Sequence, residues 1–104
     1  MAMTEATGEN YRDLISEGFV IFDVYGDNCF FCDMLDEVLQ PLAAELPFLK
    51  IVRANGTTYP EIDRENNVYG HPTMVFLKNG VEMERHVGFL PADAIRSVIA
   101  KYMY

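Results

Sequence analysis

The chain has two cysteines, Cys29 and Cys32, in the motif Cys-Phe-Phe-Cys, set between an apolar run and a stretch of helical period. The run Phe19-Val20-Ile21-Phe22-Asp23-Val24-Tyr25 has the length and near-continuous hydrophobicity of a strand covered on both faces. A strand that delivers a Cys-x-x-Cys pair to the first turn of a helix fixes where the sulfurs lie. The unpaired N–H groups at the helix start favour negative charge there. A thiolate is such a charge, so Cys29 is expected to ionise more readily than a free thiol. Attack on a disulfide needs an exposed thiolate and a second thiol within reach to displace it. Cys29, at the tip of the helix, is the candidate nucleophile, and Cys32, on its buried stripe, the candidate resolving thiol.

The rest of the chain reads as the frame for this turn. Residues 1–7 are weakly patterned and suit a short edge strand or a loose tail. Thr7 or Asn10 caps a first helix, with Tyr11, Leu14 and Ile15 inward and an end at Gly18. After the turn Gly26-Asp27-Asn28, a helix from about Phe30 to Leu46 turns Leu35, Val38, Leu39, Leu42 and Leu46 inward. Asp33, Asp36, Glu37, Gln40 and Glu45 are expected to face water, and Pro41 to kink the helix. Phe48 to Ala54 reads as a strand ended by Asn55-Gly56, and Tyr59 to Asn66 as a short helix with a left-handed stop at Asn67. Thr73 to Leu77 and Val81 to Val87 form a hairpin about Asn79-Gly80. A last helix runs from about Pro91 to Met103. The order α-β-α-β-α-β-β-α predicts a single α/β domain over residues 1–104, with a central mixed sheet of four to five strands and helices on both faces.

With 104 residues the chain supports one core. Sixteen acids against eight bases give a net charge of −8, which argues against nucleic acid or an anionic membrane surface as partner. No apolar run approaches the roughly 18 residues of a membrane span. No basic segment followed by an apolar one opens the sequence, so no signal peptide is expected. The expectation is a soluble cytoplasmic protein, and in a reducing compartment close cysteines are more often catalytic or metal-binding than structural.

Other readings of the pair stand beside the redox one. As a structural staple, a loop of about four residues contributes only about 2 kcal/mol. As core thiols, Cys29 beside Asp27 and Asn28 is out of character. As metal ligands, the two cysteines with His71 leave a tetrahedral site one donor short, so a second chain would have to complete it. Asp23 interrupts a buried strand, where a carboxylate is expensive without a role or a partner. It is the natural base for Cys32, whose thiol burial should hold protonated. Arg53 is the candidate to tune that carboxylate.

At this point the chain resembles the thioredoxin family, from about Asn10 to its C-terminus. Asp23 lies six residues before the first cysteine, and Cys29-x-x-Cys32 opens the helix. Gly70-His71-Pro72-Thr73 matches the family's loop with a cis-proline before a strand, Lys78-Asn79-Gly80 with Val87-Gly88 matches its final hairpin, and Arg53 falls where the family usually has lysine. The resemblance implies a thioredoxin fold and dithiol–disulfide exchange with protein disulfides, in the reducing direction. A redox-active Cys29–Cys32 disulfide would be the centre, with no metal or other cofactor, and the protein a monomer served by a thioredoxin-reductase-like electron donor. It also implies that Asp23 acts on Cys32. A cis Pro72 would set the His71 backbone beside Cys29, so that His71, Pro72 and Thr73 receive an extended substrate segment by strand addition. Phe30, Phe31, Tyr25 and Phe89 would form an apolar rim. The family's Trp-Cys-Gly-Pro-Cys-Lys is here Asn28-Cys29-Phe30-Phe31-Cys32-Asp33, a departure that bears on redox potential and reductase rather than on fold. Alternatives of another class are a thioredoxin-like adaptor domain without significant turnover, and a Cys-x-x-Cys metal or iron–sulfur module between two chains.

Asp27, Asp33 and Asp36 repel a thiolate at the helix start, although solvent and salt screen them. Titration of the reduced protein should therefore give Cys29 an apparent pKa above about 5, and a value below that would refute the reading.

Overall fold

A computed structural model describes residues 3–103 of the chain; the first two residues of the expected edge strand or tail lie outside them. Nine elements follow in order: β1 (Met3–Glu5), α1 (Tyr11–Leu14), β2 (Phe19–Tyr25), α2 (Phe30–Glu45), β3 (Lys50–Asn55), α3 (Pro60–Glu65), β4 (Thr73–Lys78), β5 (Val81–Val87) and α4 (Ala92–Met103). The strands make one mixed sheet in the order β1-β3-β2-β4-β5. β1, β3 and β2 run parallel, while β4 is antiparallel to β2 and β5 to β4. This is the thioredoxin fold.

The hydrophobicity of β2 follows from its central place, since both its faces are covered. Val20, Phe22 and Val24 pack with Tyr11 of α1 and Ile62 of α3 on one side. Phe19 and Ile21 pack with Leu35, Leu39 and Leu42 of α2 and Ile95 and Ile99 of α4 on the other. Side chains alternate along a strand, so Asp23 belongs to the α2 face.

Several boundaries differ from the sequence expectations. The first helix is a single turn, Tyr11–Leu14. Its start is held by a reciprocal pair: Thr7 Oγ1 accepts from the Asn10 N–H at 3.2 Å, and Asn10 Oδ1 accepts from the Thr7 N–H at 2.7 Å. These bonds close the turn ahead of the helix; Asn10 is the N-cap by position but makes no side-chain capping bond to α1. β3 begins at Lys50 rather than Phe48, which stays exposed. α2 continues through Pro41 for another turn with the ring on the exposed side. Asp36, expected to face water, is half-buried.

The hairpin is as the Asn-Gly pair predicts. Asn79 and Gly80 both have positive φ, 50° and 80°, which a two-residue turn of this type requires. Asn79 also ties the turn to the start of β2. Its Oδ1 accepts from the Gly18 N–H at 2.9 Å, and its N–H donates to the Gly18 carbonyl at 2.9 Å. Asn79→Ala removes the side-chain bond and the tolerance for positive φ together, so urea unfolding should show a loss of about 1–2 kcal/mol. Asn79→Gly keeps the backbone freedom and should lose less; equal losses would contradict this account.

Candidate active site

The turn after β2 is bolted to the end of β3. The Gly56 N–H donates to the Tyr25 carbonyl at 2.8 Å, the Asp27 N–H to Thr57 Oγ1 at 3.1 Å, and Asn55 Nδ2 to Asp27 Oδ1 at 2.9 Å. Asn28 then takes φ of 52°, a conformation that asparagine tolerates better than most residues. The chain enters α2 with Cys29 as its N-cap in extended geometry.

Cys29 and Cys32 are joined in a disulfide with their Cα atoms 5.2 Å apart. Cys32 is 2% exposed, and Cys29 is half-buried rather than fully exposed. Cys29 Sγ accepts a hydrogen bond from the Cys32 N–H at 3.1 Å, so one of the free donors of the helix start points at the sulfur.

The His71–Pro72 peptide bond is cis. It brings the His71 carbonyl oxygen to 3.7 Å from Cys29 Sγ. The loop is held by the Gly88 N–H donating to the Pro72 carbonyl at 2.7 Å and by Thr73 Oγ1 donating to the Gly70 carbonyl at 2.6 Å. The Thr73 side chain is therefore buried and committed to the loop. The His71 imidazole turns to α3, where Nε2 lies 3.0 and 3.1 Å from the two carboxylate oxygens of Asp63. Gly26 and Gly56 make room for it, since a Cβ on either would come within 2.8 Å of a ring nitrogen. The ring that a metal site shared between two chains would need is thus engaged elsewhere. Among the described residues, no three or more His, Cys, Asp or Glu side chains group as a metal site.

Asp23 sits on the sheet under α2, 1% exposed. Arg53 is its register partner on β3, with Nε 3.5 Å from Asp23 Oδ2, while Asp23 Oδ1 has no hydrogen-bond partner. Burial pushes the Asp23 carboxyl up to about 7 against the pull of Arg53, and Asp36 and Glu5 push in the same direction as burial. Glu5 and Asp36 are the members of this cluster that sequence reasoning missed. Arg53 Nη1 lies 3.4 Å from Glu5 Oε1, and Nε lies 3.5 Å from Asp36 Oδ1. No periodicity marks Glu5 in its three-residue strand; the spacing of Asp36, four residues after Cys32, was the available signal.

The rim residues divide. Phe30 and Phe31 are 70% and 56% exposed at the start of α2 and meet edge to face, centroids 5.5 Å apart. Phe89 packs partly into the core on the α2 side. Tyr25 joins the Arg53 cluster: the guanidinium carbon lies 4.0 Å from its ring centroid, and its hydroxyl donates to Glu5 Oε2 at 2.7 Å.

The raised Asp23 value sets a sign for stability. Between the ordinary value of 3.8 and about 7 the folded state keeps a proton that the unfolded chain has released. Stability from this group is then highest below the unfolded value and falls as pH rises through the folded one. Asp23→Asn never ionises, so it should stabilise the protein by about 2–4 kcal/mol near pH 8 and by much less near pH 4. Denaturant unfolding across that range checks it, and a difference that does not grow with pH would contradict the assignment.

The family model described as Thioredoxin matches residues 2–101. The chain is 36% identical over 94 residues to thioredoxin of Chlamydia trachomatis, covering 90% of this chain and 92% of that one. It is 33% identical over 104 residues to thioredoxin of Bacillus subtilis, covering 99% and 100%. The fold superposes on Chlamydomonas reinhardtii thioredoxin f2 with a TM-score of 0.88 at 17% identity, covering 96% of this chain and 95% of that one. With Fasciola hepatica thioredoxin the TM-score is 0.85 at 24% identity, covering 96% and 98%. These matches and the Cys29–Cys32 disulfide at the head of α2 place the chain in the thioredoxin family, as a thiol–disulfide oxidoreductase whose redox centre is that disulfide.

Proposed function

We propose that Cys29 attacks the disulfides of protein substrates, that Cys32 resolves the mixed disulfide, and that the net direction is substrate reduction. The observation that carries this assignment is the asymmetry of the pair: the half-buried Cys29 sulfur stands beside the cis-proline backbone, while Cys32 is buried on the inner face of α2.

The reduced pair starts the cycle. The Cys29 thiolate attacks one sulfur of the substrate disulfide, and the other substrate sulfur leaves as a thiolate. Asp23 takes the proton of Cys32, directly or through a water. The Cys32 thiolate then attacks Cys29 Sγ, forming the Cys29–Cys32 disulfide and releasing the second substrate thiolate. Two electrons have passed from the pair to the substrate. A carboxyl poised at about 7 is matched to accepting and returning a proton near neutral pH. Arg53 tunes it from β3.

The backbone of His71 and Pro72, with Thr73 beginning β4, receives an extended segment of the substrate. Phe30, Phe31 and Phe89 supply apolar contact around the sulfur, and Tyr25 supports that wall from the Arg53 side. In this reading the protein works as a monomer in a reducing compartment, the cytoplasm, and a thioredoxin-reductase-like donor restores the dithiol.

Cys32→Ser should accumulate covalent adducts through Cys29 when the reduced variant meets a disulfide-bonded protein. Cys29→Ser should accumulate none. Non-reducing electrophoresis with mass spectrometry reads the result, and failure of Cys32→Ser to form any adduct would remove the assignment of roles.

A further inference from the structure

Of the four acids of α2, Asp33, Glu37 and Glu45 are exposed, but Asp36 is half-buried. It stands four residues after Cys32, on the same face of the helix one turn further on. Its Oδ2 accepts from Gln40 Nε2 at 2.7 Å. Its Oδ1 is shut off from solvent, has no hydrogen-bond partner, and lies 3.5 Å from Arg53 Nε. That nitrogen is also 3.5 Å from Asp23 Oδ2. Arg53 Nε donates to Asp23 Oδ2 at 3.5 Å, well beyond the about 2.7–2.9 Å of a closed charge-assisted bond, and reaches Asp36 Oδ1 as an ion pair without a hydrogen bond.

We infer that Asp36 is a positioning residue, which draws Arg53 toward α2 and keeps the guanidinium from closing on Asp23, so that Asp23 stays able to accept a proton. The inference rests on the reading of Asp23 as the base for Cys32. An arginine fully engaged with Asp23 would hold it as a fixed anion and weaken it as a base. Asp36 prevents this twice over, by attracting the same guanidinium and by adding a like charge near Asp23.

The charged and titratable groups facing Asp23 are few. Among the described residues, β3 supplies Arg53, α2 supplies Asp36, β1 supplies Glu5, and β2 itself supplies the Tyr25 phenol. On β4 the register partner is Met74, which carries no charge. Glu5 also competes for Arg53, but its side chain is 51% exposed and already accepts from the Tyr25 hydroxyl. Solvent screens it more than Asp36, so the stronger competitor is the acid on the helix that carries the cysteines.

The test uses reduced wild-type protein, Asp36→Asn, Arg53→Met and Asp23→Asn with an aryl disulfide whose released thiolate is coloured. The first thiolate reports attack by Cys29, and the second reports resolution by Cys32. Carboxyl carbon shifts followed by NMR give the Asp23 midpoint independently of rate. In Asp36→Asn the midpoint should fall by about half a unit to one unit, and the pH profile of the second phase should move down with it. In Arg53→Met both should move up. A merely structural role for Asp36 would change stability while leaving the Asp23 midpoint in place, and that result would overturn the inference. If Asp23→Asn abolishes the pH dependence of the second phase while Asp36→Asn leaves the midpoint unmoved, the base stands and the positioning residue falls. If Asp23→Asn leaves the second-phase profile intact, the base assignment itself fails, and the catalytic meaning of Asp36 fails with it.

Discussion

One register line across the sheet carries Glu5, Arg53 and Asp23 side by side on β1, β3 and β2. Because strand side chains alternate, a slip of one residue between β2 and β3 would send Arg53 to the face of α1 and α3 and leave Asp23 buried without a cation. The same strand pairs Val24 with Thr73 on β4, which places the cis Pro72 next to the turn that carries Cys29. The carboxylate, its arginine and the proline-held backbone are thus set by the pairing of β2 with its two neighbours. The apolar side chains of β2, buried on both faces of the sheet, hold that pairing in place.

An arginine at this line has consequences that a lysine would not. A planar guanidinium can face several carboxylates at once and stack on an aromatic ring, whereas an ammonium acts as a point charge. Arg53 lies over the Tyr25 ring while reaching Glu5, Asp23 and Asp36. Three acids around one cation leave the cluster short of positive charge, and burial adds to the imbalance. The result is a carboxyl that ionises near neutral pH in place of one fixed as an anion. The fold thus holds a destabilising group in the sheet under α2, the helix that opens with the redox disulfide, and strongly shifted carboxyls of this kind cluster at functional sites.

Around the His71–Pro72 backbone the chain uses its side chains differently. The His71 imidazole fills the space left by Gly26 and Gly56 and meets Asp63 of α3, so the residue before the cis bond is anchored away from the sulfur. Its backbone is left beside Cys29. Phe30 and Phe31 remain exposed in the first turn of the helix that the disulfide opens. In the proposed function, the His71–Pro72 backbone and the exposed Phe30–Phe31 pair select substrate by main-chain pairing and shape more than by charge.

Features that a few neighbouring residues decide were legible in the sequence. The near-continuous apolar run of β2, the Asn79-Gly80 hairpin, the left-handed stop at Asn67 and the burial of Cys32 all follow from period and turn chemistry. Cys29, expected to be exposed, proved half-buried, because the His71 loop comes back over it from far along the chain. Residues whose roles depend on distant partners were harder to place. Asp36 read as a solvated helix residue and Glu5 as part of an unpatterned start, and the contacts of Tyr25 with Arg53 and Glu5 were not foreseen, because all three depend on where Arg53 lies. By itself the sequence determined which segments form strands and helices and which turn carries the sulfurs, since those outcomes rest on local propensity and hydrophobic period. Only the tertiary structure decided how the charge around Asp23 is shared, because that depends on the register of three strands and the seat of one helix, which no local pattern encodes.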